Sequence, residues 1–141
     1  MVDVSEKPVT RRIAEASCRV VLTPETTAAL DRLPKGDALT VARLAGVQGA
    51  KRTAELVPLA HPLTLEQVEV EVRPDDGGVE IRSRVVVTAR TGAEMEALVA
   101  CSTAALALYD MVKAVERQAL ITDLRLEHKS GGRSGDFRRP S

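Results

Sequence analysis

From Arg12 to Leu22 apolar and polar positions alternate, with Ala14, Ala16, Cys18, Val20 and Leu22 on one side and Glu15, Ser17 and Arg19 on the other. A two-residue period is that of a strand with one buried face. Thr23 before Pro24 reads as an N-cap followed by proline at the first helical position, which predicts a short helix to about Leu33. The PKGD stretch from Pro34 to Asp37 breaks it. A second helix is expected from about Ala38 to Glu55, with Val41, Ala45 and Gln48 lining one side and Gly46 and Gly49 permitting close backbone approach. Pro58 ends it. The PLAHPL segment carries two prolines around His61; each lacks an amide donor and restricts its predecessor, so a stiff, extended connection is expected.

Val68, Val70 and Val72 then alternate with Glu69, Glu71 and Arg73. Beyond a DDGG turn, Val79, Ile81, Val85, Val87 and Ala89 alternate with Glu80, Arg82, Arg84 and Thr88, which predicts a long hairpin. Thr91 with Glu94 three residues on forms a capping box, opening a helix to about Arg117 that has no proline or glycine after Gly92. Its apolar residues, among them Met95, Leu98, Cys101, Leu106, Leu108, Met111 and Val115, cover more than one stripe, so burial on several sides is expected, as oligomerisation would give. A last strand fits Leu120 to His128, with Leu120, Thr122, Leu124, Leu126 and His128 on one face. The glycine-rich, cationic tail from about residue 130, and the first ten residues, read as mobile, the tail until something anionic binds it. Hairpin-paired strands with interleaved helices indicate the α+β class, an antiparallel sheet with helices packed on one face. At 141 residues one domain over 1–141 is expected.

Composition narrows the partners. Lys and Arg number 20 and Asp and Glu number 20, so there is no basic excess for a nucleic acid or a membrane surface, and any anion site must be local. One Tyr, one Phe and no Trp leave no stacking platform for single-stranded nucleic acid. The N-terminus shows no apolar signal-peptide core and no stretch reaches the roughly 18 uninterrupted apolar residues of a membrane span, so a cytoplasmic protein is expected. Cys18 and Cys101 lie far apart with no paired spacing for metal or redox work and are read as small buried hydrophobes; no metal site is suggested.

Asp110 and Lys113, three apart on a helix, face the same way and can reach one ligand. In their apolar surroundings a desolvated lysine would exchange protons near neutral pH, with the aspartate holding it or sharing the proton. An ordinary helix salt bridge is the plainer reading. Glu94 is already occupied by the capping box, whereas Glu96 has no such role. Glu94 and Asp110 are sixteen residues apart, about 24 Å along a straight helix. They cannot serve one small substrate within one chain, whereas two antiparallel copies of the helix across a subunit interface could bring them together. His61 can donate to a ligand or satisfy backbone carbonyls. Lys35 beside Gly36, Lys51 and Arg52, and Lys129 and Arg133 around the glycine-rich Ser130 to Gly135 segment are candidate phosphate clamps, although charge runs are usually solvated surface.

Taken together, MVDVS at the N-terminus, KGD at Lys35, ARLAGVQGAKRTAELVPLAHPL from Ala42, TGAEMEAL from Thr91, LYDMVKAV from Leu108 and KSGGRSGDF from Lys129 resemble the molybdenum cofactor biosynthesis protein C family, in order and over nearly the whole chain. The resemblance implies a ferredoxin-like subunit in a homohexamer, a trimer of dimers with active sites between subunits. It implies cyclic pyranopterin monophosphate synthase activity on a GTP-derived substrate, the cyclised dihydroguanosine triphosphate, with release of pyrophosphate. Ligand spacing suggests no tightly bound metal or other cofactor, and any Mg2+ is expected to arrive with the triphosphate. Carried onto matching positions, the resemblance makes Lys113 the central acid-base residue and Asp110 its partner, with Lys35, His61, Glu94 and Glu96 completing the pocket and Lys129 closing over the triphosphate. Asp3 and Arg12 would shape the same pocket. The chain departs from the family pattern at Arg133, where lysine is common; arginine keeps a clamp but does not readily transfer a proton. The alternative is a non-catalytic nucleotide-binding or scaffolding relative.

Overall fold

A computed structural model describes residues 1–141. The elements run β1 (Thr10–Val21), α1 (Pro24–Ala28), α2 (Ala38–Lys51), α3 (Thr53–Leu56), β2 (Gln67–Asp75), β3 (Gly78–Ala89), α4 (Glu94–Val112), β4 (Leu120–Ser130) and β5 (Phe137–Arg138). The sheet order is β2-β3-β1-β4-β5, with every pair antiparallel. The first four strands and the helices between them have the ferredoxin-like arrangement, extended at one edge by the short β5.

The alternation in β1 does what its period requires. Ala14, Ala16, Cys18 and Val20 are buried, and they share a face with Val79, Ile81, Val85 and Val87 of β3 and with Val70 and Val72 of β2. Helices α2 and α4 cover that face. Pro74 falls within β2, which is tolerated because β2 is an edge strand with no partner on its outer side. Small residues bring α2 and α4 together: Ala97, Ala100, Ala104 and Ala105 of α4 are fully buried. A Cβ at Gly46 would lie 3.0 Å from the Ala100 carbonyl oxygen, and one at Gly49 would collide with the Thr103 side chain. The α4 helix has the length and apolar composition of a membrane span, yet most of it is buried as the core helix of this domain.

Several expectations are corrected. Helix α1 stops at Ala28 rather than Leu33, although Thr23 caps it as predicted, its side chain accepting from the Thr26 amide. The buried side of α2 is Ala38, Ala42, Gly46, Gly49 and Ala50, whereas Val41 and Gln48 are exposed. Close packing on α4 selects the smallest side chains for the buried side. Asp37 caps α2 by accepting from the Leu39 and Thr40 amides. Helix α4 begins at Glu94 behind Ala93, with no side-chain cap, so the Thr91–Glu94 capping box does not form. It ends at Val112 rather than Arg117. In β4 the single apolar face fails because the register against β1 shifts twice, between Glu15 and Ala16 and between Ser17 and Arg19. Each bulge advances the pleat by one residue. Ile121 and Leu126 therefore reach the core, while Leu120 and Leu124 are exposed and His128 faces Glu15 on the far side. Asp123, at φ +58°, lies at one of these irregularities.

Candidate functional site

The predicted site residues gather at the two ends of α4. At its C-terminal end Asp110 holds two lysines. Its Oδ1 accepts from Lys113 Nζ at 2.7 Å and its Oδ2 from Lys35 Nζ at 2.9 Å. Lys35 also donates to the Asp110 carbonyl oxygen at 3.3 Å. Lys113 caps the helix, and Lys35 comes from the turn after α1, where the Gly36 amide donates to the Leu33 carbonyl and Leu30 and Leu33 are anchored in the core. The negative end of the helix dipole favours both cations here. Lys113, with Lys35 behind it, holds the Asp110 carboxyl down at about 2, so it is ionised at neutral pH and orients its lysines rather than accepting a proton. The desolvated lysine expected from the apolar neighbourhood is not present in the single chain: the Lys113 side chain is 50% exposed because it lies past the last helical turn.

The N-terminal end of α4 carries the rest. Glu94 pairs with Lys129 of β4 at 3.3 Å, and Lys129 also donates to the Ser134 hydroxyl. Glu96 is buried, and that burial pushes its carboxyl above the ordinary value, with the neighbouring Glu94 charge adding to the rise. His61 Nε2 meets the Val2 carbonyl at 2.6 Å, as a donor in the tautomer that carries its proton there. Asp3 accepts from the Ser5 amide at 2.9 Å; hydrogen bonds from Ser5 lower its carboxyl, and His61 adds a smaller pull. A cleft of about 370 Å³ is lined by Val2, Lys7, His61, Thr91, Glu94 and Glu96 among others. Glu96 also borders a neighbouring cleft with Lys51, Arg52 and Thr53.

Arg12 is almost fully buried, its guanidinium donating to the Ala89 carbonyl at 3.1 Å and the Arg90 carbonyl at 3.3 Å. Gly132, at φ +82°, leaves no room for a Cβ beside that guanidinium. The tail beyond it returns along β4, with Phe137 opposite Lys129 and Arg138 opposite His128. This places Arg133 with Lys7, Pro8, Arg12 and Ser134 around a cleft of about 230 Å³ that has three cations and no acid. Lys7 was missed by the sequence reading. A single lysine in a segment without periodicity gives no signal until the fold sets it opposite Arg12, although Pro8 stiffens the backbone after it.

The structure thus unites Lys35, Asp110 and Lys113 in one group. It unites Glu94 with Lys129, His61 with the Asp3 segment, and Arg12 with Arg133. It does not join the two ends of α4 within one chain, as the helix length requires. Elsewhere, a cleft on the opposite face of the sheet is lined by Glu15, Glu69, Glu71, Arg82 and Arg84, most of which are engaged in surface ion pairs: Arg84 with Glu15 at 3.4 Å, Arg82 with Glu80 at 3.0 Å and Glu71 with Arg73. Cys18 and Cys101 are both buried thiols.

Chemically, one end offers a lysine pair on an ionised carboxylate. The other offers a buried carboxyl that holds its proton more readily than an ordinary glutamate, a histidine, and an acid-free cluster of cations suited to phosphate oxygens.

Comparison with known proteins identifies the relatives of this chain. Cyclic pyranopterin monophosphate synthase of Streptomyces griseus subsp. griseus is 57% identical over 141 residues, covering 99% of this chain and 80% of the relative. Proteins of the same name from Thermomicrobium roseum and Parvibaculum lavamentivorans are 55% and 54% identical, covering 99% and 98% of this chain and 86% and 89% of their own lengths. The model of the MoaC family matches residues 1–132, a span that contains every candidate residue above except Arg133 and Ser134. The chain belongs to the MoaC family.

Proposed function

We propose that this protein is a cyclic pyranopterin monophosphate synthase of molybdenum cofactor biosynthesis. In this reading it converts the cyclised GTP derivative, 3',8-cyclo-7,8-dihydroguanosine 5'-triphosphate, to cyclic pyranopterin monophosphate plus pyrophosphate, as a lyase in the cytoplasm. The reaction is a rearrangement with loss of pyrophosphate, so it needs proton transfers and charge stabilisation and no external oxidant. The observation that carries the reading is the segregation of two chemistries to the ends of one helix: the Lys113–Asp110–Lys35 array at one end and the acid-free Lys7–Arg12–Arg133 cleft, with Lys129 and Glu96, at the other.

Lys113 exchanges protons with the rearranging ring while Asp110 stays ionised and holds it in place. Glu96, whose affinity for its proton is raised by burial, is the proton donor of the set. As pyrophosphate leaves, negative charge grows on its oxygens, and cations already in place stabilise that charge without reorganising. Lys7, Arg12, Arg133 and Lys129 fill that role, with the tail that carries Arg133 closing over the triphosphate. Mg2+ accompanies the triphosphate as part of the substrate. About 24 Å separates the two groups along α4, so a complete site takes one end from each of two subunits, in a trimer of dimers. Apolar side chains left exposed on the helices, Leu44 and Leu106 among them, offer surface for such contacts.

The test is a single-turnover reaction of the purified protein with the cyclised triphosphate, following pyrophosphate and pterin together, with Lys113→Ala as control. Both products from the unmodified protein and neither from the variant, with the oligomer intact, are expected. Equal activity in the variant would refute the role of Lys113. Tight binding with no product from the unmodified protein would leave a non-catalytic nucleotide-binding relative.

A further inference from the structure

Lys35 and Lys113 grip opposite oxygens of Asp110 from two segments 78 residues apart in sequence. Both lysines end flexible side chains that are about half exposed, so the distance between them depends on how their backbones are tied together. Lys113 stands on the turn that leaves α4, where the Glu116 amide donates to the Val112 carbonyl at 2.8 Å. Lys35 stands on the segment that begins at Thr23 and passes through α1. Glu116 bridges these segments. One of its carboxylate oxygens accepts from the Thr23 amide at 3.0 Å and from the Thr23 hydroxyl at 3.0 Å, and the second lies 3.3 Å from the same amide. Thr23 in turn caps α1. On its other side the turn is held by the chain's single tyrosine: Tyr109, packed against the core, donates its hydroxyl to the Arg117 carbonyl at 2.9 Å.

We infer that Glu116 is a positioning residue for the Lys35–Asp110–Lys113 array, setting the spacing of the two lysines by clamping the turn after α4 to the start of α1 at Thr23. Its carboxylate is committed to Thr23, so it acts through the lysines and not on substrate. A purely structural clamp would contribute to melting alone; a positioning clamp sets how closely both ammonium groups approach Asp110. Displacement of a reacting group by about 1 Å can cost on the order of a hundredfold in rate. Loosening one of two tethers on the turn is therefore expected to cost about tenfold.

The inference rests on the synthase reading for its kinetic arm only. The experiment compares Glu116→Ala and Glu116→Gln with the unmodified protein by kcat, KM and melting, and titrates the Asp110 carboxyl by carbon NMR without substrate. In Glu116→Ala, kcat should fall about tenfold with KM changed less than about twofold. The Asp110 midpoint should move up from about 2 toward the ordinary 3.8 as the lysines draw back. Glu116→Gln should recover most of both, because its amide oxygen still accepts the Thr23 amide proton. If Glu116→Ala does not fold, Thr23→Val, which removes one of the two donors, takes its place with the same two readouts. An Asp110 midpoint and a kcat both unchanged, or Glu116→Gln as impaired as Glu116→Ala, overturn the inference. Absence of turnover in the unmodified protein counts against the synthase reading instead, and the titration still decides the positioning.

Discussion

If a complete site draws the Lys113 end of α4 from one subunit and the Lys129 end from its partner, two inactive variants should rescue each other. Lys113→Ala removes the proposed proton-transfer group at one end, and Lys129→Ala removes the cation paired with Glu94 at the other. Glu94 and Asp110 are about 24 Å apart along the helix, far beyond the reach of a lysine side chain, so neither end can substitute for the other in its own chain. In a dimer that pairs the two variants, one site receives both defects and the other receives neither. Equal co-expression with random pairing makes about half of the dimers mixed, so about a quarter of all sites, and about a quarter of wild-type turnover, should return. The assay is pyrophosphate release by the co-expressed mixture, purified through two different tags, against each variant alone. No recovery in isolated mixed oligomers would show that the two ends of α4 do not serve a common site, and the intersubunit reading would fall.

Gly49→Ala should lower stability even though alanine is the better helix former. The gain of about 1 kcal/mol in propensity is outweighed by overpacking on the Thr103 side chain, which costs about 1–3 kcal/mol, so a melting temperature lower by a few degrees is expected; a rise would contradict the close α2–α4 approach. Asp110 has a depressed carboxyl, so the stability its ion pairs give is present above the ordinary 3.8 and is lost as pH falls toward about 2. Asp110→Asn should therefore flatten melting temperature against pH across that window, and an unchanged profile would remove the lysine pairs as the cause. Glu96 runs the other way. Its raised carboxyl means the folded state is progressively disfavoured as pH climbs past the ordinary carboxylate value. Glu96→Gln should melt higher than the unmodified protein at pH 7 and no higher at pH 4, while losing turnover; a variant less stable at pH 7 would refute the burial argument.

Local pattern carried the regular elements of this chain a long way. The period-two alternation of β1 and of the β2–β3 hairpin set their buried faces, because a pleat allows only two sides and one must be apolar. Thr23 before Pro24 located the start of α1 for an equally local reason, and the rise of the helix alone separated Glu94 from Asp110. The motif blocks identified the family before any coordinates. What pattern could not supply was every feature decided by a distant partner. The bulges of β4 arise from its pairing with β1 and break an alternation that the sequence shows intact. The buried side of α2 was chosen by α4, which admits Gly49 and Ala42 and turns Val41 outward. Ala93 rather than a capping box opens α4, because Glu94 is drawn instead to Lys129. Lys7 became a candidate only opposite Arg12 and Arg133. Glu116 acquired its role only through Thr23, 93 residues earlier in the chain. Backbone conformation is chosen among neighbours a few residues away and is written locally, whereas a side chain's charge state, burial and partner depend on what the fold places beside it.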